Sequence, residues 1–132
     1  MTFKEIADLG KKEGFFVDSS KGYFILSFKR KDNINVELSF PIDDPEIKNG
    51  GAISWEFILS TSGDDKEIYK DWRETYGENS LNDIYEDLSK FIEKVSKMDL
   101  RILEKSFLSF FKWKFGKYSK LEFETPKGWQ SF

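Results

Sequence analysis

Between residues 34 and 60 the chain alternates apolar and polar side chains twice over. Ile34, Val36, Leu38 and Phe40 interleave with Asn35, Glu37 and Ser39, and Ile53, Trp55, Phe57 and Leu59 interleave with Ser54, Glu56 and Ser60. Successive side chains of a strand point to opposite sides, so a period of two gathers the apolar residues on one face. Two such segments predict an antiparallel sheet with one buried and one wet face. Tyr23 to Lys29, with Phe24, Leu26 and Phe28 in step, supplies a third strand. Ser19-Ser20-Lys21-Gly22 and Lys31-Asp32-Asn33 read as turns, Phe15 to Val17 as a short apolar run, and Pro41 as the end of a strand before a polar loop to Gly51.

The helical signals lie outside this stretch. Thr2 and Glu5 form a T-x-x-E capping box ahead of Phe3, Ile6, Ala7 and Leu9, in a helix that Gly10 weakens and Gly14 ends. From Ser80 onward, Leu81, Ile84, Tyr85, Leu88, Phe91, Ile92, Val95 and Met98 keep one face of a long helix apolar, with Asp83 early and Lys94 and Lys97 late. Ile68, Tyr69, Trp72 and Tyr76 fit a short exposed helix. Asp99 is placed to cap a further helix with Leu100, Leu103, Phe107 and Phe110 or Phe111 inward. The period then changes, because Phe111, Trp113 and Phe115 alternate with Lys112 and Lys114 as in a strand. Residues 107–124 therefore read as either helix or hairpin, and 125–132 as a tail anchored by Trp129.

These segments predict one α+β domain over residues 1–132. It has an N-terminal helix, an antiparallel sheet of three to four strands, and one or two long C-terminal helices packed on the sheet. The sheet's apolar face is expected to meet the stripe from Leu81 to Val95. With 17% aromatic residues the chain has the apolar area for a core.

Composition excludes much chemistry. The chain has no Cys and no His. Disulfides, His- or Cys-based zinc sites, Ser-His-Asp triads and Cys-His dyads are all ruled out. There is no G-x-G-x-x-G motif and no P-loop, and S-x-x-K at Ser109 to Lys112 stands without its companion motifs. The acidic pairs Asp43-Asp44 and Asp64-Asp65 lack EF-hand spacing and read as turn or cap residues. No catalytic residue, metal or cofactor is expected. The chain has no apolar run of roughly 18 residues and no apolar signal core after Met1, so a cytoplasmic protein without a membrane span is expected.

Charge is unevenly spread. Residues 1–40 carry net +1, residues 41–87 net −9 and residues 88–132 net +5. The plain reading is solvated surface of two signs. The functional reading is that the acidic block docks a basic protein, with rings as anchors and carboxylates for steering. Its candidate contacts are Asp43, Asp44, Glu46, Asp64, Asp65, Glu67, Tyr69, Asp71, Trp72, Glu74 and Tyr76. Lys112, Lys114, Lys117 and Lys120 interleave with aromatics, as on a nucleic-acid stacking platform. The acidic balance of the whole chain, −3, argues against that partner.

In size, acidity, lack of His and Cys, and the 41–87 block, the chain resembles the immunity proteins of bacterial polymorphic-toxin and contact-dependent inhibition systems. The resemblance implies an inhibitor, not an enzyme, that covers the active site of a basic toxin domain such as a nuclease. The chain is also similar in size and charge to type III secretion chaperones, which implies a chaperone or adaptor of a secreted or phage protein. A carboxylate-based enzyme is the third class left open.

Overall fold

The computed structural model describes residues 1–43, 52–76, 80–109 and 114–132, with the side chains at 52, 75, 76, 80, 104–109 and 114–119 outside that description. The chain divides into two compact units, Met1–Ser96 and Lys97–Phe132.

The first unit opens with α1 (Phe3–Lys12), followed by β1 (Phe16–Ser20), β2 (Tyr23–Lys29), β3 (Ile34–Pro41), β4 (Ala52–Thr61), β5 (Glu67–Tyr76) and α2 (Ser80–Lys97). The five strands form an antiparallel meander in the order β1-β2-β3-β4-β5. Its register sets Leu26 against Leu38 and Leu38 against Phe57, so the apolar residues line up across the sheet. Lys21 and Gly22 form the two-residue β1–β2 loop, both at positive φ, where glycine is unstrained.

Alternation has the expected result. Val36, Leu38, Phe40, Ile53, Trp55, Phe57 and Leu59 are buried on the inner face. Phe91 of α2 packs on that face, with its ring 4.3 Å from Phe57 and 5.4 Å from Trp55. Phe3 of α1 meets Phe40 at 5.7 Å and Tyr85 edge-on at 5.1 Å. Thr2 caps α1 by accepting the Glu5 N–H at 3.2 Å, as the capping box predicts. Arg30 donates to the Val95 carbonyl while paired with Asp32 at 3.1 Å, placing a cation on a carbonyl in the last turn of α2.

The second unit is a three-stranded antiparallel sheet of β6 (Leu100–Ser109), β7 (Lys114–Thr125) and β8 (Gly128–Ser131). Leu121 and Phe123 are buried on one face, and Phe132 lies edge-on to Phe123 at 6.0 Å. On the other face Arg101 pairs with Glu122 across β6 and β7.

The expected architecture of one or two long C-terminal helices packed on a three- to four-stranded sheet is overturned. Among the described residues the chain is mostly β, with two helices and eight strands in sheets of five and three. Only α2 is a long helix, and strands follow it. Leu100, Leu103 and Phe107 keep helical spacing, yet β6 is extended because β7 supplies a partner about 20 residues away, with Ile102 against Leu121. A pattern window cannot see such a partner. Residues 125–132 form a hairpin rather than a tail, with Thr125 against Gly128 and Glu124 against Trp129.

The segment holding Ile68, Tyr69 and Trp72 is also a strand, not a helix. An irregularity between Leu59 and Ser60 shifts the β4–β5 register so that Ile68 is passed over. That extra residue puts two apolar side chains in a row and hides the period of two. No described helix is long and apolar enough to cross a membrane.

Candidate functional site

The five-stranded sheet has a second face, and its make-up differs from the core face. Register and alternation place Phe16 and Asp18 of β1, Tyr23, Ile25, Ser27 and Lys29 of β2, and Asn35, Glu37 and Ser39 of β3 on it. Ser54, Glu56, Ile58 and Ser60 of β4 and Lys70, Trp72 and Glu74 of β5 complete it. Three large rings stand in water here: Phe16 is 70% exposed, Trp72 57% and Tyr23 50%. Core rings such as Phe57 are fully buried, so these three are the exception for apolar groups of their size.

Small side chains between the rings leave two depressions. One of about 510 Å³ is lined by Phe16, Ser27, Asn35, Glu37, Ile58 and Asp65, among others. The other, of about 300 Å³, is lined by Tyr23, Ser39, Ser54, Trp55, Glu56 and Trp72. Glu37 and Glu56 lie near the centre of the face, with Glu37 against Ile58 and Ser39 against Glu56. Asp18 and Glu74 add negative charge at its borders, and Lys29 and Lys70 are its cations.

Both edges of the sheet are blunted. Asp18 accepts the N–H of Ser19 at 2.7 Å on β1, and Asp71 accepts the N–H of Trp72 at 2.8 Å on β5. A side chain on a main-chain donor leaves that donor closed to an added strand.

The structure disperses the residues singled out from sequence. Asp43 is exposed just beyond β3, while Asp44, Glu46 and the side chain of Tyr76 lie outside the described residues. Asp64 and Asp65 sit in the β4–β5 turn. There Asp64 accepts from the Thr61 hydroxyl and from the Lys66 N–H, bonds that hold its carboxyl below the usual range. Glu67 is exposed at the start of β5. Tyr69 and Asp71 point to the inner face: Tyr69 stacks on Phe57 at 5.9 Å, and Asp71 pairs with Arg73 at 3.0 Å. Trp72 and Glu74 reach the outer face, Glu67 pairs with Ser60 at its end, and Asp65 lines the larger depression.

The other residues of that face, Glu56, Tyr23, Phe16 and Glu37, were missed because β1 to β3 lie outside the acidic block and Glu56 reads as the polar half of a strand. An exposed ring at a polar position of an alternating strand was the available signal, and Tyr23 and Phe16 both carry it.

Within α2, burial pushes the Asp87 carboxyl up, and Arg73 and Lys90 partly offset that. Among the described residues no group of three or more acidic side chains is placed to hold a metal ion. No family model, curated protein or solved structure matches the chain.

Proposed function

We propose that this chain is a binding protein that engages a basic protein domain through the outer face of its five-stranded sheet. In keeping with the resemblance noted above, it would act as an inhibitor of the immunity type, covering the active site of a toxin. The observation that carries the reading is the exposure of Phe16, Tyr23 and Trp72 around the carboxylates of Glu37 and Glu56. Rings of that size bury a large area on docking, and they dominate interface energetics where they fill pockets. Carboxylates among them speed encounter with a cationic surface and reject an anionic one.

The rival readings predict other surfaces. A chaperone or adaptor needs a broad apolar face, whereas this one mixes rings with carboxylates. Glycoside hydrolysis needs one desolvated carboxyl, whereas Glu37 is exposed and Glu56 half-buried.

The test is photocrosslinking in the native host from a benzoylphenylalanine at Ser27, in the middle of the face. The same probe at Asn82 of α2 is the control. A basic protein captured from Ser27 alone, and bound more weakly at high salt, supports the reading. Equal capture from both positions, or binding insensitive to salt, overturns it.

A further inference from the structure

We propose that Glu56 and Trp72 form a subsite for an arginine side chain of the partner. The proposal rests on the reading that the outer face receives a basic protein, and it adds which side chain that face reads. Glu56 and Trp72 stand directly opposite each other across β4 and β5. Such a pair holds its Cβ atoms about 4.5–5.5 Å apart. Glu56 and Trp72 line the 300 Å³ depression together with Tyr23, Ser39, Ser54 and Trp55. The indole is more than half exposed, and among the described residues the Glu56 carboxylate has no ion pair.

A guanidinium satisfies both groups at once. It is planar and stacks on an indole, and its fork of N–H donors matches a carboxylate. An ammonium can pair with Glu56 but has no flat face to lay on Trp72. Glu74, opposite Ser54 on the same face, adds negative charge nearby.

The three-stranded sheet brings the same three groups together in another register, with Arg101 opposite Glu122 and Trp129 opposite Glu124. The Arg101 guanidinium carbon lies 4.3 Å from the centre of the Trp129 ring. Its Nε and Nη2 are each 2.9 Å from Glu122 Oε1. Indole, carboxylate and guanidinium meet there within one chain. On the outer face the indole and the carboxylate are in place, and the guanidinium must come from outside.

The probe is the tripeptide acetyl-Gly-Arg-Gly-amide, titrated into the full chain beside its lysine and citrulline counterparts. The readout is the indole N–H resonance of Trp72, assigned by its loss in Trp72→Phe. The arginine peptide is expected to move this resonance saturably, the lysine peptide to bind roughly two- to fivefold more weakly, and the citrulline peptide to leave it in place. Glu56→Gln, with the other amide resonances unmoved as a check on folding, is expected to weaken the arginine peptide by a similar factor. Equal response to citrulline, no effect of Glu56→Gln, or no movement of the Trp72 resonance overturns the subsite. A partner crosslinked from Ser27 whose affinity ignores Glu56→Gln and Trp72→Phe also overturns the subsite, while leaving the binding reading intact. Arginine-selective movement at Trp72 with no partner captured overturns the binding reading instead.

Discussion

Gly10 of α1 lies directly over the side chain of Leu26 in β2. A methyl group on Gly10 would overlap Leu26 Cδ2 and come 3.6 Å from its Cγ and 3.7 Å from Phe15 Cβ. Leu26 is fully buried, so any shift of its side chain has to be taken up by the close-packed core around it. The glycine that looks like a weak point in the helix thus sits where helix and sheet approach too closely for a side chain as it stands.

Gly10→Ala tests this directly. Helix propensity alone predicts a gain of about 1 kcal/mol. Overpacking against Leu26 costs about 1–3 kcal/mol, which leaves a net loss of up to about 2 kcal/mol. A lowered urea midpoint with unchanged slope is the expected result, and a raised midpoint would show that Leu26 can move aside.

Phe91 joins α2 to the sheet through Phe57 and Trp55. Phe91→Ala is expected to cost about 3–5 kcal/mol, a large share of the stability of a small unit. Phe16→Ala removes a ring of equal size that is mostly in water, so its cost to folding is expected within about 0.5 kcal/mol. Thermal unfolding of the two variants separates a core ring from a surface ring.

Arg101 covers the nearly buried Glu122. Arg101→Ala leaves that carboxylate without its cation, at an expected local cost of about 1–3 kcal/mol. The measurement is amide exchange at Arg101–Leu103 and Lys120–Glu122, expected to accelerate roughly 5- to 150-fold. Arg101→Lys keeps the charge but loses the fork and the stack on Trp129, so it is expected to recover only part of the protection.

Asp87 makes stability depend on pH with a definite sign. Burial raises its carboxyl above the ordinary 3.8, against the attraction of Arg73 and Lys90 and together with the repulsion of Glu86 and Asp83. Between the ordinary and the raised value the folded state holds the proton more tightly than the unfolded state. Stability therefore falls as pH rises through that window and is flat above it. Asp87→Asn is expected to remove this slope and to raise the urea midpoint near neutral pH. Asp64 has the opposite sign: its lowered carboxyl stabilises the fold above the unfolded value, and the gain is lost as pH falls through the folded one.

Charge reversal distinguishes the outer face from the acidic block as a whole. Glu37→Lys with Glu56→Lys and Glu74→Lys is expected to weaken partner binding strongly at low salt and less at high salt. Reversing Asp71 instead breaks its pair with Arg73 and frees the Trp72 N–H, so its expected effect is on the stability of β5. Loss of binding from Asp64→Lys alone, with the face intact, would place the contact at the β4–β5 turn.

Much of the first unit was legible because its signals are local. The capping box at Thr2 fixes where α1 starts, and the alternation in β3 and β4 and the stripe from Ile84 to Val95 fix which side of each element is buried. The site was less legible. The acidic block is contiguous in sequence, but pleating sends Asp71 and Trp72 to opposite faces and the bulge at Ile68 sets which goes where. Glu56, Tyr23 and Phe16 join Trp72 only through pairing across strands.

Sequence by itself determined that this protein has no histidine or thiol chemistry, and that it has a sheet with one apolar face and an amphipathic helix to cover it. These follow from residue types and short-range periodicity. Only the tertiary structure decided that Leu100–Ser109, Lys114–Thr125 and Gly128–Ser131 are strands, that Phe16, Tyr23 and Trp72 share a wet face, and that Glu56 meets Trp72. The reason is that a strand is completed by a partner far along the chain. Which residues share its surface depends on that partner's register, and no local pattern carries that information.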